Sequence, residues 1–447
     1  MNFFSRNFSR LLSANPLYAR FANGVWWSFI GALISQGLSL LASVPVARTL
    51  GAVGYGELGV IQSTLALFAL FTGTSLGLTA TKYVAELNEN DPERANKLIG
   101  LTSGTAFVIS GVLAILLVVG APYLSQYVLN APQMSPALRL AALVLFLNGL
   151  NGAQTGTLAG FQAFRRISQV NIVRGLVSFP AMLIGVWLWG LLGAVTALSV
   201  SAGVGVVVNQ WALTQETLKN GLNCNYRNSL SEWRVLLDFT LPAIVSGLVV
   251  VPVAWWANVM LVNQNYGYAE MGIFNATSQW RTALMFLPAV LTQPTLPMLS
   301  NLHGIGSFKE YRRLLNLNLG IVFLCTSIPA LGISIVSPWI MHAYGFDGKA
   351  TALVLVFLSF AGVLSASANI IGSVITSTGK MWHGFGLNAI WAVVFIVIFV
   401  THKQDAIGLA TVYLVSYIVH FFTTGFYVAF VLRTKLSPSD TAVQHSS

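Results

Sequence analysis

Long apolar runs alternate with short polar segments along the whole chain. Each run has about the 20 residues that a helix needs to cross the hydrocarbon core of a bilayer. Polar residues inside the runs recur every three or four positions, which is the spacing of a helix face. The pattern predicts an all-α, polytopic membrane protein with about twelve transmembrane helices. The predicted spans are 24–47, 58–81, 98–121, 137–163, 167–189, 191–212, 235–262, 271–300, 314–337, 351–377, 383–401 and 406–432.

The composition supports a membrane protein. Soluble domains carry about 25% charged residues, whereas this chain carries 8%, with 55% hydrophobic residues and a mean hydropathy of +0.72. A soluble globular protein, a disordered chain and a disulfide scaffold are therefore excluded. The two cysteines, Cys224 and Cys325, form no CxxC motif, so neither a redox motif nor a thiolate metal site is available.

The basic residues predict the orientation of the chain. There are 23 Lys and Arg residues against 13 Asp and Glu residues, and cytoplasmic loops are the segments that Lys and Arg favour. With the N-terminus in the cytoplasm, 17 of the 23 basic residues fall in cytoplasmic segments. The six others are Arg48, Lys349 and Lys403 in outer loops and Arg139, Arg174 and Arg281 at or within spans. The charge distribution predicts an even number of spans, with both termini cytoplasmic.

An internal repeat divides the chain into halves. The second span opens with Tyr55-Gly-Glu-Leu-Gly-Val-Ile, and the eighth opens with Tyr268-Ala-Glu-Met-Gly-Ile-Phe. Six spans separate the two copies, so they have the same orientation and predict two parallel six-helix bundles. The predicted organisation is a cytoplasmic N-terminal segment (1–23), a first bundle (24–212), a cytoplasmic linker (213–234), a second bundle (235–432) and a cytoplasmic tail (433–447).

Motifs of enzymatic and ATP-driven chemistry are missing. The chain has no Walker A sequence, no GxSxG and no HExxH, so we expect no catalytic residue, no metal and no cofactor. Acidic residues are nearly missing from the spans, where only Asp238 lies, close to a cytoplasmic end. Cation pumps and proton relays usually have carboxylates inside the membrane, so a cationic substrate is disfavoured.

Several spans carry polar residues aligned on one face. Helical spacing places Asn151 in such a row of the fourth span, and Asn275 and Gln279 in a row of the eighth. In the twelfth span, Tyr413, Tyr417 and His420 lie on one face. Such rows either line a polar cavity or hold helices together. The bulk of the tyrosines favours a cavity in the twelfth span, and the six residues are predicted to bind substrate.

Two arginines within the spans give a more specific prediction than the polar rows, namely an anion-binding site. Arg281 lies near the middle of the eighth span, where a charged side chain costs about 3 kcal/mol on insertion scales. No acid is predicted at its depth, so a bound anion is the expected counter-charge. Arg174 lies nearer the cytoplasmic end of the fifth span and either binds the same anion or extends to the interface. Glu57 and Glu270 occupy matching outer positions and either gate the outer mouth or cap helix N-termini.

The motifs resemble one family. In the first half they are Ala47-Arg-Thr-Leu-Gly-Ala-Val-Gly-Tyr-Gly-Glu-Leu-Gly and Thr74-Ser-Leu-Gly-Leu-Thr-Ala-Thr-Lys-Tyr-Val-Ala-Glu. In the second half they are Met271-Gly-Ile-Phe-Asn-Ala-Thr-Ser-Gln-Trp and Leu296-Pro-Met-Leu-Ser. These segments resemble Wzx-type oligosaccharide flippases of the multidrug/oligosaccharidyl-lipid/polysaccharide exporter superfamily. The resemblance in motif covers roughly residues 23–100 and 235–315.

The resemblance implies two six-helix bundles around a central, cationic cavity in the bacterial inner membrane. It implies alternating-access transport of undecaprenyl-diphosphate-linked oligosaccharide to the periplasmic leaflet, for synthesis of O-antigen, capsule or exopolysaccharide. Partners would be the lipid-linked oligosaccharide, the bilayer, and polymerase and chain-length proteins, with no nucleic acid. Two alternatives stay open: a cation-coupled multidrug exporter of the same superfamily, and a membrane glycan polymerase or ligase.

Overall fold

The structure, a computed structural model, describes residues 16–88, 90–222, 229–292, 298–299, 302, 307–378 and 380–434. These residues are almost entirely helical, with no strand among them, which confirms the all-α prediction. Most of the predicted N-terminal segment and tail, and the centre of the predicted linker, lie outside the described residues.

The α-helices are numbered here in chain order, and each of the longer ones corresponds to a long apolar run. They are α1 (Pro16–Ala69), α2 (Ser75–Leu87), α3 (Pro92–Tyr123), α4 (Ser135–Gly160), α5 (Phe164–Lys219), α6 (Leu241–Gly247), α7 (Val250–Val262), α8 (Gly267–Thr292), α9 (Phe308–Ala343), α10 (Lys349–Ser377), α11 (Met381–Thr401) and α12 (Ala406–Thr434). Short π-helices at Leu70–Thr74, Leu124–Val128 and Leu236–Thr240 and 3₁₀ turns at Pro132–Met134 and Ser229–Glu232 join some of them.

The two longest helices are each interrupted by a break. At 1.5 Å per residue, α1 and α5 would be about 81 and 84 Å long, far more than a bilayer core of about 30 Å. Gly51 breaks α1 with φ 69° and ψ 177°. Trp189 and Gly190 break α5, where Gly190 has φ 54° and ψ −128°. The second break confirms the predicted turn between the fifth and sixth spans.

The membrane character is confirmed by length, composition and exposure. Nine stretches of the described chain are long and apolar enough to cross a membrane, and the two longest contain the breaks just described. Large apolar side chains face outward, among them Val119 at 74% exposure and Ile335 at 71%. Lipid-facing helices require such a surface, whereas soluble proteins rarely expose one. The exact number of twelve spans stays a prediction.

The first compact unit comprises 1–50 and 57–248. One close seam in this unit joins two Gly-x-x-x-Gly pairs, Gly73 and Gly77 against Gly152 and Gly156 of α4. A Cβ on Gly152 would collide with the backbone of Gly73, and one on Gly156 with that of Gly77. Small residues at such spacing allow membrane helices to approach backbone to backbone. This seam fixes α4, which carries part of the polar site described below.

The first unit also holds the chain that follows the predicted linker. Glu232 accepts hydrogen bonds from Arg94 Nε and Nη2 at 3.0 and 3.1 Å. The hydroxyl groups of Thr79 and Thr240 lie 2.8 Å apart. This packing attaches the described chain from Ser229 to the start of α6 to the first unit. The predicted domain limits of 212 and 235 stay a prediction.

The second compact unit comprises 51–56 and 249–447. Its core lies where α9, α10, α11 and α12 meet, with Tyr311, Val322, Ile370 and Val428 buried together. The short segment 51–56 is anchored on α8, because Asn275 Nδ2 donates to the carbonyl oxygen of Tyr55 at 3.2 Å.

Candidate substrate-binding sites

Arg174 lies inside the first unit, on α5. It is ten residues from the start of the helix, so about 15 Å along its axis. A Cβ built on Gly205 of the same helix would lie 2.9 and 3.0 Å from Arg174 Cδ and Nε, so the guanidinium stem packs against a bare backbone. The break at Gly190 folds α5 back on itself, which allows the two residues to meet. Arg174 Nε is buried and has no hydrogen-bond partner among the described residues.

One amide side chain lies beside this arginine, and a second amide is bonded to the first. The Cβ position of Gly205 is also 2.8 Å from Asn151 Oδ1, which places the Asn151 amide beside Arg174. Asn151 Nδ2 donates to the carbonyl oxygen of Ala202 at 2.9 Å, and Asn151 Oδ1 accepts from Asn209 Nδ2 at 2.9 Å. Asn209 is buried, and its own Oδ1 has no partner in the described part of the chain. The first unit therefore contains an arginine set in neutral amides.

Arg281 lies in the second unit, on α8, about 21 Å along the helix from its first residue. The centre of its guanidinium is 5.0 Å from the centroid of the Tyr413 ring, in a cation–π contact. Such a contact contributes about 0.5–2 kcal/mol, more where water is excluded, and Tyr413 is buried at 6% exposure. A Cβ on Gly362 of α10 would lie 3.2 Å from Arg281 Cγ. The tyrosine face and the glycine together hold the arginine stem.

Aromatic rings continue from Tyr413 along α12. The Tyr413 and Tyr417 rings stack at 6.4 Å, and the Tyr417 ring meets His420 edge-on at 6.5 Å. Trp391 and Phe395 of α11 pack against the same face, at 5.6 Å from Tyr417 and 5.0 Å from Tyr413. The structure brings Arg281, Tyr413, Tyr417 and His420 together in one unit.

Both arginines lack an acidic partner. Among the described residues, the ion pairs join Arg94 to Glu232, Lys97 to Glu93, Arg166 and Lys219 to Glu216, Lys403 to Asp405 and His342 to Asp347. Neither Arg174 nor Arg281 takes part in one. Within the part of the chain described, their positive charges are thus balanced by no carboxylate, which is the arrangement an anion-binding site requires.

Two further predicted residues have different surroundings. Asn275 is buried at 6% exposure and uses its amide on the Tyr55 carbonyl oxygen. Gln279 lies half-buried on α8, two residues before Arg281. Their part in substrate binding stays a prediction.

The two predicted gating carboxylates each tie a helix to a neighbour within one unit. Glu57 is buried, and its Oε1 accepts from Gln133 Nε2 at 3.0 Å. Glu270 Oε2 accepts from the backbone nitrogen of Ala406 at 2.9 Å, at the first residue of α12. For Glu270 this contact caps α12, and not the helix that follows Glu270 in the sequence, which is the cap that the sequence left open as an alternative. A gating role for either stays a prediction.

Three contributors escape sequence reasoning. Gly205 and Gly362 hold the arginines only because they lack a Cβ, and a glycine within an apolar run gives no signal of its neighbour on another helix. Asn209 is one of two adjacent amides in the sixth predicted span, and only the fold places it against Asn151. In the described residues, no group of three or more His, Cys, Asp or Glu side chains is placed to hold a metal ion.

A family model described as polysaccharide biosynthesis protein matches residues 21–303. The chain belongs to this family. The matched range includes both arginines and the whole first unit from residue 21 on.

Relatives from two genera share most of their length with this chain. It is 24% identical over 374 residues to the EPS I polysaccharide export inner membrane protein EpsE of Ralstonia nicotianae, covering 82% of this chain and 83% of that protein. It is 22% identical over 411 residues to the lipid III flippase of Escherichia coli, covering 88% of this chain and 95% of that protein.

Solved structures show the same fold. A multidrug resistance MATE family transporter of the MOP superfamily, in an inward-facing conformation, matches with a TM-score of 0.72 at 14% identity, covering 91% of this chain and 99% of that chain. The lipid II flippase MurJ, in an inward closed conformation, matches with a TM-score of 0.70 at 14% identity, covering 90% and 87%. A drug transporter and a lipid flippase fit about equally well, so the fold does not choose between their substrates.

Proposed function

We propose that this protein is a flippase that moves undecaprenyl-diphosphate-linked oligosaccharide from the cytoplasmic to the periplasmic leaflet by alternating access. It is a multi-pass protein of the bacterial inner membrane, with both termini cytoplasmic in our proposal. Its relatives are named for polysaccharide export and lipid flipping, not for catalysis. The product would serve O-antigen, capsule or exopolysaccharide synthesis, where polymerase and chain-length proteins are the expected partners.

The observation that carries the proposal is that Arg174 and Arg281 have no acidic partner among the residues that the structure describes. A diphosphate is a multiply charged anion, and the planar guanidinium group binds its oxygens through two parallel hydrogen bonds. In the proposal, Arg281 and Arg174 are the anion-binding residues for the diphosphate. Tyr413, Tyr417 and His420 offer ring faces and polar edges to the sugars, and Asn151, Asn275 and Gln279 offer amides.

The charge distribution argues against the multidrug alternative. Export of drug cations in exchange for a cation calls for carboxylates inside the membrane. Most described acids lie close to helix ends or in turns. Glu57 lies six residues after the break in α1 and accepts a hydrogen bond from Gln133, and Asp238, the one acid inside a predicted span, is exposed. A polymerase or ligase is disfavoured because the loops between the spans are short.

A reconstituted transport assay tests the proposal. The full chain is placed in liposomes that contain a fluorescent polyprenyl-diphosphate-linked N-acetylglucosamine, and a lectin outside reports the sugars that reach the outer face. We expect wild type to move the lipid well above protein-free liposomes and Arg281→Ala to lower the rate at least tenfold. Arg139→Ala, which removes an exposed arginine of α4, is the matched control and should keep the wild-type rate.

Each other outcome has a defined meaning. No transport by wild type rejects the flippase. Transport that survives Arg281→Ala unchanged rejects the site and leaves the function. Sodium-driven efflux of ethidium that requires Asp238 or Glu57 would favour a drug exporter, and enlarged glycan products would favour a polymerase.

A further inference from the structure

The amide of Asn209 carries an open hydrogen-bond acceptor inside the first unit. Asn209 lies in the limb of α5 that follows the break at Gly190 and is 1% exposed. Its Oδ1 is buried and has no partner among the described residues. Buried polar groups are almost always hydrogen-bonded, and one left unpaired costs free energy. This oxygen therefore calls for a group that donates a hydrogen bond to it.

A chain of hydrogen bonds fixes which way this amide points. The carbonyl oxygen of Ala202 can only accept, so Asn151 turns its Nδ2 toward it, at 2.9 Å. Asn151 Oδ1 then faces Asn209 and can only accept, so Asn209 presents its Nδ2 there, also at 2.9 Å. Turning either amide round would set two acceptors or two donors against each other. The open atom of Asn209 is consequently its oxygen.

A second amide on the same seam also has an open oxygen. Gln154 of α4 is 7% exposed, and its Nε2 donates to Gln210 Oε1 at 2.9 Å. Its own Oε1 is buried without a partner in the part of the chain that the structure describes. Gln154 follows Asn151 by three residues, about 4.5 Å along α4, and Gln210 directly follows Asn209. The seam between α4 and α5 thus holds two open acceptors.

Arg174 adds an open donor and a positive charge to this seam. It packs against Gly205, which precedes Asn209 by four residues, about 6 Å along α5. Its buried Nε has no partner among the described residues. Arg174 as a whole is half-buried and Gln210 is exposed, so the group reaches the surface of the unit. We call Arg174, Asn209 and Gln154 the seam cluster.

The chemistry of the seam cluster selects its ligand. A metal ion or an ammonium group would suit the two amide oxygens, but the nearby guanidinium repels any cation. An ionised phosphate suits the arginine, yet it has no hydrogen to donate to the amides. Water suits the amides but leaves the charge without a counter-ion. A hydroxylated group attached to an anion satisfies all three residues at once, and a sugar phosphate has this composition.

We propose that the seam cluster binds the first sugar of the lipid-linked oligosaccharide together with the phosphate that carries it. The proposal rests on the proposed function for its substrate. Arg174 binds phosphate oxygens, while Asn209 Oδ1 and Gln154 Oε1 each accept a hydrogen bond from a sugar hydroxyl group. Asn151 is a positioning residue, because it holds the Asn209 amide in the required orientation.

The two amide oxygens make this subsite selective. A sugar that lacks the matching hydroxyl group would displace water from a buried acceptor and give it no donor in return. Sites built to hydrogen-bond a hydroxyl group reject analogues without it for this reason. The seam cluster therefore distinguishes lipid-linked sugars by the positions of their hydroxyl groups, which a site made of arginines alone does not.

The first experiment measures binding without transport. The thermal unfolding midpoint of the full chain in detergent is titrated with inorganic phosphate, with N-acetylglucosamine 1-phosphate and with its 3-, 4- and 6-deoxy analogues, since a ligand of the folded state raises this midpoint. We expect the sugar phosphate to bind at least fivefold more tightly than phosphate, and at least one deoxy analogue to lose this advantage. Asn209→Leu should bind phosphate as wild type does but lose the advantage of the sugar, whereas Arg174→Gln should weaken both ligands.

The second experiment measures transport with a readout that a purely structural role would not move. Liposomes carry the polyprenyl-diphosphate-linked N-acetylglucosamine or its deoxy analogues, and a phosphodiesterase outside releases the sugars that reach the outer face. Wild type should move the disfavoured deoxy lipid at least fivefold more slowly than the parent lipid. Asn209→Leu should move the parent lipid about twofold more slowly than wild type does, but the deoxy lipid faster, because leucine leaves no acceptor unpaired.

Asn258→Leu is the matched control. Asn258, in α7 of the second unit, is also a buried amide whose Oδ1 has no partner among the described residues, but it is no part of the seam cluster. This variant should keep the wild-type ratio between the parent and deoxy lipids. If Asn209→Leu does not fold, Gln154→Met takes its place and should likewise speed one deoxy lipid.

The outcomes separate this proposal from the proposed function. Equal wild-type rates for all the sugars, or a preference that persists in both Asn209→Leu and Gln154→Met, reject the subsite. Lipid transport without any binding advantage of the sugar phosphate over phosphate rejects the subsite and keeps the flippase. The expected binding without lipid transport rejects the flippase and keeps the subsite.

Discussion

The two units hold their arginines in opposite ways. In the first unit, Arg174 lies among neutral amides, and its buried Nε has no partner in the described chain. In the second, Arg281 lies on the face of Tyr413, which compensates part of its charge without neutralising it. In the first arrangement the Nε donor of Arg174 is buried without a hydrogen bond, which costs free energy. In the second, the Tyr413 ring lowers the free-energy cost of burying the charge of Arg281. The comparison teaches that the fold itself stabilises the charge of Arg281, whereas in the proposed function a bound anion supplies that stabilisation for Arg174.

The largest effect is expected from removing each charge in turn. Hydrogen bonds to charged groups contribute about 1.5–3 kcal/mol, so Arg281→Gln and Arg174→Gln should each slow lipid transport about tenfold to a hundredfold. Arg281→Lys and Arg174→Lys should recover only part of the rate, since lysine cannot bind a diphosphate through two parallel bonds. The lectin assay measures the rates. Equal rates for the Lys and wild-type proteins would show that a point charge suffices.

Replacing each arginine by methionine should change thermal stability differently in the two units. Arg174→Met replaces an unsatisfied buried group by an apolar chain of similar length, so thermal stability in detergent should stay equal or rise. Arg281→Met loses the cation–π contact and should lower stability by about 1 kcal/mol. Both are followed by size-exclusion chromatography after heating. A lower thermal stability of Arg174→Met would show that the amides already stabilise the charge of Arg174. The two arginines would then not differ in how the fold holds them.

The glycines beneath the arginines test how tightly each is held. Gly205→Ala meets Asn151 and Arg174 at 2.8–3.0 Å, whereas Gly362→Ala meets Arg281 Cγ at 3.2 Å. We expect a loss of transport of about tenfold for the first and about threefold for the second, since an alanine methyl must displace its neighbours.

Neighbouring glycines serve as controls for this test. Gly203, in α5, would place a Cβ no closer than 3.9 Å to a neighbour, and Gly372, in α10, would place one in open space. Gly203→Ala and Gly372→Ala should keep transport and raise stability slightly, because alanine favours helix over glycine. Equal losses in all four variants would mean that helix flexibility, not arginine position, sets the rate.

The smallest effect is expected at the amides. Asn209→Leu removes the bond to Asn151, and Asn275→Leu removes the bond to Tyr55. Hydrogen bonds between membrane helices contribute about 0.6 kcal/mol on average, so each should cost less than 1 kcal/mol in thermal stability. Only Asn209→Leu should also change transport, by about twofold, because it frees the amide beside Arg174. A transport loss confined to Asn275→Leu would instead indicate that α8 contacts the sugars.

Much of this protein follows from its sequence alone. The period and length of its apolar runs determine helices that cross a membrane, because no other open structure satisfies backbone groups in lipid. The position of Trp189-Gly190 in one such run marked a turn, which the structure confirms at Gly190. The low acid content and the isolated Arg174 and Arg281 pointed to an anionic cargo before any contact was known.

Only the tertiary structure decided what surrounds those residues. Tyr413 and Arg281 are 132 residues apart, and helical spacing says which residues share a face but not which face of another helix they meet. The same limit hid Gly205, Gly362 and Asn209, whose effect depends on a close approach between helices. Local periodicity is encoded in short stretches of chain, whereas burial and pairing arise from packing between distant ones.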